Sequence, residues 1–372
     1  MKVGMVTPAY PPAVGGIEAH VASLTEALSK LGVEVQVITQ ASGPLRRNPA
    51  LVEFRRLPMT GVYQFAPGLL PWTRRHRRDF DLFHLHGYHA APAGLVAPLV
   101  GGTPIVLTPH YHGAGHTRLA RGMHRLYGAV NRNLIRRARA VICVSSAEAD
   151  LLEDRYPWVR PKVEVIPNAV GSEGLLSAAA FETDNPVVLT AGRLVGYKNT
   201  RLVAEAVAAL RSPVSLVVAG DGPERADLDD LARRHPAIEL TGWLPRPELD
   251  RWFRTASIFV TLSEHEAFGM SLLEALTAGS WAIASDIPAH REVAALCGAE
   301  DRVTWLRLPC TAEQVGRALE DRLASGGRPP PLPRIWDWGE AARRTAALYH
   351  RLVTSPEVAR PAGGVRGRRR VP

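Results

Sequence analysis

Residues 257–275 read SIFVTLSEHEAFGMSLLEA: an apolar run, a loop that contains Glu264 and Glu266, and an apolar helical stretch that contains Glu274. The run Ser257–Thr261 is rich in β-branched and aromatic residues, which is typical of a buried strand. Gly269 allows a helix to begin near Met270, so Glu266 precedes the helix and Glu274 lies inside it. In doubly wound α/β proteins ligands bind at the loops that follow the strands. The stretch therefore predicts a ligand-binding loop at the edge of a parallel sheet.

The same unit of strand, turn and amphipathic helix recurs along the whole chain. The predicted strands are Val3–Thr7, Val33–Thr39, Asp81–His86, Pro104–Thr108, Ala140–Ser145 and Val163–Pro167, then Val187–Ala191, Val214–Ala219, Ile238–Thr241, Ser257–Thr261 and Trp281–Ser285. Apolar strands that alternate with helices indicate parallel sheets covered on both faces. The pattern predicts an α/β fold in which doubly wound architecture occurs twice.

The domain boundary is expected in Asn168–Asn185, where the strand pattern gives way to small residues. Gly326–Pro333 is too rich in glycine and proline to be helical, and Trp338–Val353 then regains a helical period. The last residues carry five arginines and no apolar pattern, which favours disorder. The predicted units are residues 1–170, 171–336, a helix at 337–355 that packs back towards the first domain, and a basic tail at 356–372.

Charge is unevenly distributed along the chain, whose net charge is +9. Residues 1–180 contain 20 basic and 12 acidic residues, whereas residues 181–359 contain 20 and 24. The first half could therefore face an anionic partner.

Three widely spaced cysteines favour a reducing cytoplasm, and a strand starting at Val3 predicts that no signal peptide is present. Prolines and glycines divide the uncharged residues 87–117 into pieces too short to cross a bilayer, so we expect a soluble protein.

Two further loops carry candidate chemistry. Pro11–Ile17 contains Gly15 and Gly16 at the start of a helix, where backbone amides can approach an anion, although a tight turn alone explains the pair equally well. Gly192–Asn199 places Arg193 and Lys198 after a strand, where they could clamp two phosphates without a metal. Only four lysines occur beside 41 arginines, so a lysine here suggests a need for a compact charge, with chance placement as the alternative.

The loop at 263–275 adds an anion site and a carboxylate. The backbone amides of Gly269, Met270, Ser271 and Leu272 form a helix start that would attract a diphosphate. Glu274, inside the helix, can accept both hydroxyls of a ribose.

A metal site is not expected, and no cofactor is predicted. Asp227-Leu228-Asp229 lies in a charged helical run, and Asp79-Phe80-Asp81 precedes a strand instead of following it. Among the histidines, His110 follows a strand at the edge where a substrate would lie, so with Arg193, Lys198 and Glu266 it is a candidate catalytic residue. His84 and His86 fall inside a strand and are expected to be structural.

The order and spacing of several motifs resemble retaining glycosyltransferases of family 4, which have the GT-B fold of two facing Rossmann-like domains with a cleft between them. The resemblance extends from Val3 to about Val353. It rests on Pro11-Pro12-Ala13-Val14-Gly15-Gly16, Thr108-Pro109-His110, Val165-Ile166-Pro167-Asn168, Gly192-Arg193-Leu194 with Lys198, Gly220-Asp221-Gly222-Pro223, Gly242-Trp243-Leu244, and Glu266 and Glu274 with seven residues between them.

The resemblance implies a role for each matching residue. Arg193 and Lys198 would bind the donor diphosphate, Glu274 the ribose, and the backbone of Gly242, Trp243 and Leu244 the base. Glu266 and His110 would contact the transferred sugar, and Gly16 would lie between phosphate and acceptor. Family members need no metal, and closure of the two domains is expected to gate turnover. This chain departs from the family at Asn199, where glycine is usual, and at Ser280–Ile283.

The resemblance thus implies a metal-independent, retaining transferase that moves a hexose or N-acetylhexosamine from a UDP- or GDP-linked donor to a hydroxyl of an envelope glycan, glycolipid or natural product. The alternatives are a GT-B nucleotide-sugar epimerase or phosphorylase, or a catalytically idle sugar-nucleotide binding module.

The arginine bias suggests a bacterial genome rich in GC. No basic motif interleaved with aromatics occurs, so nucleic acid is not an expected partner. Arg74, Arg75, Arg77 and Arg78 could dock on an anionic membrane or form a solvated basic face.

Overall fold

In a computed structural model, which describes residues 1–46, 48–57, 64–88, 90–113, 118–333 and 336–354, the chain forms two parallel sheets flanked by helices. The predicted α/β class and the two Rossmann-like units are confirmed. Parallel sheets need crossover connections, and here helices that cover both sheet faces provide most of them.

The first sheet has the strand order β3-β2-β1-β4-β5-β6-β7. Its strands are β1 (Lys2–Val6), β2 (Glu34–Ala41), β3 (Leu51–Arg55), β4 (Leu82–His86), β5 (Ile105–Thr108), β6 (Ala140–Cys143) and β7 (Val163–Val165). Its helices are α1 (Gly16–Lys30), α2 (Leu69–His76), α3 (Ala91–Val96), α4 (Arg118–Arg137) and α5 (Ser146–Arg155). The central strands β4, β5 and β6 are buried along their whole length, and their residues are apolar except for His84, His86 and Thr108.

The second sheet has the order β10-β9-β8-β11-β12-β13. Its strands are β8 (Val187–Ala191), β9 (Ser215–Ala219), β10 (Ile238–Gly242), β11 (Ile258–Thr261), β12 (Trp281–Ser285) and β13 (Val303–Leu306). The helices are α6 (Ser172–Ser177), α7 (Thr200–Ala209), α8 (Arg225–Arg234), α9 (Arg246–Thr255), α10 (Met270–Ala278), α11 (Pro288–Cys297) and α12 (Ala312–Ala324). Strands β8 and β11 are neighbours, with Val188 opposite Ile258, so the loops that follow them meet at one edge of the sheet.

The last helix, α13 (Trp338–Thr354), returns to the first sheet and packs against α1. Its buried Tyr349 has its hydroxyl 2.5 Å from Nδ1 of His84 on β4. Just before the helix, the indole of Trp336 donates to the carbonyl of Pro167 at 3.1 Å. The chain therefore crosses between the two sheets twice.

Two strands, β3 and β13, were not predicted. Both are edge strands with half-exposed residues, and their sequences lack the continuous apolar run that marks a central strand. The predicted boundary at 168–185 falls between β7 and β8, and the glycine- and proline-rich segment after α12 contains no helix at 326–333. The predicted disordered tail lies outside the described residues. Among the helices described, none is both long and apolar enough to cross a membrane.

Candidate active site

The loop after β11 turns into α10 at Gly269, whose backbone is left-handed with φ of 110°. A Cβ atom at this position would lie 3.1 Å from Cδ2 of His290, which is tighter than ordinary packing. Glycine is therefore favoured by the left-handed backbone and by the close approach of His290 on α11. Helix α10 begins at Met270, where the sequence predicted it.

Lys198 and Glu266 form an ion pair between the loops that follow β8 and β11. Both side chains are largely buried, with 22% and 19% of their side-chain surfaces exposed. Burial acts to raise the pKa of Glu266, but the charge of Lys198, the charge of His290 and hydrogen bonds from Lys198 and Ser263 outweigh it, so the pKa is lowered. Glu266 is therefore ionised at neutral pH.

Asn199 explains one departure from the family pattern. Its backbone is left-handed, with φ of 54° and ψ of 31°, a conformation that glycine adopts freely and asparagine tolerates better than most residues. Its side-chain amide donates to the carbonyl of Leu262 at 2.9 Å. Asn199 thus keeps the turn that glycine would form and adds a bond that holds the Lys198 loop against the end of β11.

Arg193 lies on the same loop as Lys198 and is exposed. Both residues line a cleft at the carboxyl ends of β8, β9 and β11. The residues around this cleft are Thr190, Ala191, Gly192, Arg193, Leu194, Lys198, Thr200, Val218 and Thr261. Two cationic side chains at one sheet edge would suit an anionic ligand, and their role in binding one stays a prediction.

Glu274 is buried in the second turn of α10 and forms an ion pair with Arg246 at the start of α9. Arg246 also lies 2.7 Å from a carboxylate oxygen of Asp250. The sequence alone does not identify Arg246 as a site residue. It shows only that Arg246 lies four residues before Asp250, whereas its partner Glu274 is 28 residues away. Nearby on the chain, Trp243 is exposed and Leu244 packs against the core of the second domain.

The start of α10 differs from the prediction at Leu272. Its side chain is fully buried and its amide already donates to the carbonyl of Gly269 at 3.1 Å. The amides of Met270 and Ser271 belong to the first positions of the helix, which have no intrahelical acceptor. The side chain of Met270 contacts the core of the first domain as well as that of the second. An anion site here therefore depends on Met270 and Ser271 more than on Leu272.

In the first domain, Gly15 precedes α1 and Gly16 is its first residue. A Cβ atom at Gly16 would meet nothing within 4 Å, so space is available beside this backbone. His110 follows β5 and has a left-handed backbone with φ of 51°. A non-glycine residue in this conformation costs about 1–2 kcal/mol, which indicates that the surroundings fix its position.

His110 belongs to a buried histidine cluster with His20 and His86, whose candidate ligand nitrogens all lie within 4.8 Å of one another. Nδ1 of His86 is 3.3 Å from Nε2 of His110, and Nδ1 of His20 is 2.6 Å from the side-chain oxygen of Asn168. Burial lowers the pKa of all three, that of His20 to about 4, so the rings are neutral at pH 7. Sequence spacing did not reveal this cluster, and the expectation that no metal is bound stays a prediction.

His84 and the two Asp-x-Asp pairs occupy the elements predicted for them. His84 is buried in β4, and its Nε2 is 2.7 Å from the hydroxyl of Thr108. Asp229 lies in α8 and pairs with Arg225 at 2.9 Å, whereas Asp81 precedes β4 and accepts from the amide of Lys2 at 2.8 Å.

Aromatic rings join the two sides of the cleft. His112, two residues after His110, stacks on His265 with ring centroids 5.1 Å apart. Tyr197, next to Lys198, stacks on His265 at 4.3 Å. The loops that carry His110, Lys198 and Glu266 therefore meet at one place, although they come from two sheets.

Two family models match the chain: Glycosyltransferase Family 4 over residues 14–173 and Glycosyl transferases group 1 over residues 176–307. The chain belongs to glycosyltransferase family 4. Among curated relatives of this family 4 chain, a phosphatidylinositol N-acetylglucosaminyltransferase component from Arabidopsis thaliana is 26% identical, covering 95% of this chain and 82% of the relative. The 2-deoxystreptamine N-acetyl-D-glucosaminyltransferase of Streptomyces fradiae is 29% identical, covering 73% and 75%.

Solved structures share the GT-B fold of this glycosyltransferase. Sucrose-phosphate synthase from Thermosynechococcus elongatus superimposes with a TM-score of 0.71 at 18% identity, covering 94% of this chain and 98% of that one. Anabaena HepE, solved with UDP and glucose, gives 0.70 at 16%, covering 94% and 99%. Family membership makes this protein an enzyme that transfers a sugar from a nucleotide-sugar donor.

Proposed function

We propose that this family 4 enzyme moves a hexose or N-acetylhexosamine from a UDP- or GDP-sugar to a hydroxyl, with retention of configuration and without a metal. The observation that carries the proposal is the largely buried pair of Lys198 and Glu266 at the junction of the loops after β8 and β11. Lys198 supplies a cation for the diphosphate, and the adjacent Glu266 supplies an ionised carboxylate for sugar hydroxyls.

The donor binds along the second domain. Arg193 and Lys198 neutralise the diphosphate, assisted by the amides of Met270 and Ser271 at the positive end of α10. Glu274 accepts the ribose hydroxyls, and Arg246 orients its carboxylate. The backbone at Trp243 and Leu244 contacts the base.

Transfer breaks the bond between the anomeric carbon and the β-phosphate oxygen and forms a bond from that carbon to the acceptor oxygen. The acceptor proton passes to a phosphate oxygen of the leaving group. Negative charge develops on the β-phosphate, and Lys198 and Arg193 stabilise it without moving. Attack from the face that the phosphate leaves gives retention, and no carboxylate is assigned as a displaced nucleophile.

Relatives indicate which substrates to test first. HepE and the pneumococcal O-GlcNAc transferase GtfA were both solved with UDP, which favours a UDP-linked donor. Curated relatives are named for phosphatidylinositol, 2-deoxystreptamine and D-inositol 3-phosphate, all of which contain a polyhydroxylated cyclohexane ring. We therefore place a cyclitol hydroxyl first among acceptors, within the wider class of glycolipids, envelope glycans and natural products.

The test has two stages. Thermal-shift measurements with UDP- and GDP-sugars should identify a donor that raises the melting temperature. That donor is then incubated with and without inositol phosphates or 2-deoxystreptamine. Release of nucleoside diphosphate only with acceptor, and NMR showing an unchanged anomeric configuration, would support the proposal. Donor epimerisation, phosphorolysis or an inverted product would contradict it.

Membrane contact is a second proposal, limited to peripheral docking. Arg74, Arg75 and Arg78 are exposed on and just after α2, whereas Arg77 is half-buried and donates to the carbonyl of Leu99 at 3.4 Å. Trp72 is half-buried and stacks on His76 at 4.6 Å, so it anchors the helix to the protein and the arginines carry the docking. Sedimentation with vesicles of phosphatidylcholine alone or with about 30 mol% phosphatidylglycerol tests this, and equal binding to both would refute it.

A further inference from the structure

The first turn of α5 lies where the two domains meet, and Ser145 caps it. Ser145 is fully buried and extended, and its hydroxyl accepts from the amide of Glu148 at 2.8 Å. The same hydroxyl donates to the carbonyl of Ala267 at 2.5 Å. A hydroxyl can do both at once. Since Ala267 follows Glu266, this N-cap of the first domain holds the donor loop of the second.

Glu148, three residues later, holds the other side of the cleft. Its side chain is fully buried, with one carboxylate oxygen accepting from the amide of Val144 at 2.6 Å. The other oxygen accepts from the amide of Tyr111, the residue after His110. The bond from Val144 ties Glu148 to the start of its own helix, whereas the bond from Tyr111 reaches a residue 37 positions earlier and so holds the His110 loop.

Glu292 on α11 fixes the same turn from the second domain. Its two carboxylate oxygens accept from the amides of Ser146 at 2.7 Å and Ala147 at 3.1 Å. These amides are the positive end of α5, where a carboxylate is favourable. Side chains from both domains therefore satisfy the amides of a single helical turn.

We propose that Ser145 and Glu148 are positioning residues that set the two halves of the active site in register. Ser145 fixes the backbone beside Glu266, and Glu148 fixes the backbone beside His110. Because both act from one turn, the sugar-contacting groups of the two domains take up a defined spacing when the domains are closed on each other. The inference rests on the proposed roles of His110 and Glu266, but its bonds can also be tested without catalysis.

Ser145→Ala removes the bond to Ala267 together with a helix cap. Thr311→Ala is a matched control, since Thr311 caps α12 with an N-cap bond from the amide of Gln314 at 3.3 Å. Both variants should melt lower by about 1–4 °C. Ser145→Ala should lower kcat about 10- to 100-fold while the Kd for UDP stays within about twofold, because misplaced groups slow the chemical step. Thr311→Ala should keep kcat within about twofold. Equal kcat values for the two variants would overturn the proposal.

Glu148→Gln keeps the shape of the side chain but leaves one acceptor oxygen where two were used. Hydrogen exchange followed by mass spectrometry should show faster exchange in peptides covering residues 110–113 in this variant, and in those covering 264–270 in Ser145→Ala. Unchanged exchange in both peptides would refute the coupling whatever the enzyme's substrates. Failure of the wild type to bind UDP or GDP would instead count against the proposed function, and the exchange result would still decide the positioning role.

Discussion

Replacing Lys198 with alanine tests the proposed mechanism most directly. The ammonium group of Lys198 forms an ion pair with the carboxylate of Glu266 in a largely buried site, where a preorganised charge acts more strongly than in water. Loss of one preorganised donor to a developing oxyanion costs about 3–4 kcal/mol, or about 10²- to 10³-fold in rate. We expect Lys198→Ala to lower kcat/KM by this factor in a coupled assay of nucleoside diphosphate release.

The same substitution should shift the pH dependence. In the wild type, Lys198 is the strongest influence that opposes the effect of burial on Glu266. Without it, burial dominates and the pKa of Glu266 rises, so Glu266 loses its charge at a higher pH than in the wild type. The acid limb of the kcat/KM profile should therefore move to higher pH in Lys198→Ala, and this shift should disappear in Lys198→Ala/Glu266→Gln.

Lys162→Ala provides the control, since it removes another lysine that makes specific bonds. Lys162 donates to the carbonyls of Arg136 at 2.8 Å and Ala138 at 2.9 Å, so its loss should lower stability and leave kcat/KM within about twofold. The assignment of Lys198 is refuted if Lys198→Ala retains wild-type kcat/KM, or if the two variants lose activity equally.

Four other outcomes can be measured. Arg246→Ala should raise KM for the donor about tenfold with little change in kcat, because Glu274 loses the partner that orients it towards the ribose. Burial raises the pKa of Glu148 to about 8, with nearby Glu292 adding to the shift, so its proton stabilises the fold below pH 4.5 and that contribution is lost as pH rises to 8. Denaturant titrations should show the free energy of unfolding falling with pH by up to about 1.4 kcal/mol per unit more than in Glu148→Gln. Asn199→Gly should keep stability within about 1 kcal/mol, whereas Asn199→Val should cost more than about 1 kcal/mol because a β-branched residue is strained at positive φ. Prolonged EDTA treatment should leave activity unchanged, and loss of activity that Zn²⁺ restores would show instead that the enzyme needs a metal, for which the histidine cluster is the candidate site.

Sequence patterns predicted the fold and the loops that follow the strands because both depend on local order. A buried strand must be apolar, its loop must follow at the carboxyl edge, and Gly269 marks the turn into α10. Pairings between distant segments have no such signature. The bond from Ser145 to Ala267 joins residues 122 positions apart, and it exists only because the two sheets face each other. Asn199 lies between these cases. The family resemblance indicates that glycine is usual at this position, but only the backbone angle explains why asparagine can replace it.

Helix α13 has a mechanical consequence for catalysis. The chain passes between the sheets once after β7 and once before α13, and the second crossing is anchored where Trp336 donates to Pro167, close to the first. Two neighbouring crossings form a hinge between the domains. They permit rotation of one domain about the line that joins the crossings, and they resist twisting or sliding of the domains. Opening along that one path would separate His112 from His265 and release Ala267 from Ser145, while Lys198 and Glu266 stay paired within the second domain. A nucleotide sugar could then enter a partly assembled half-site that closure of the domains completes.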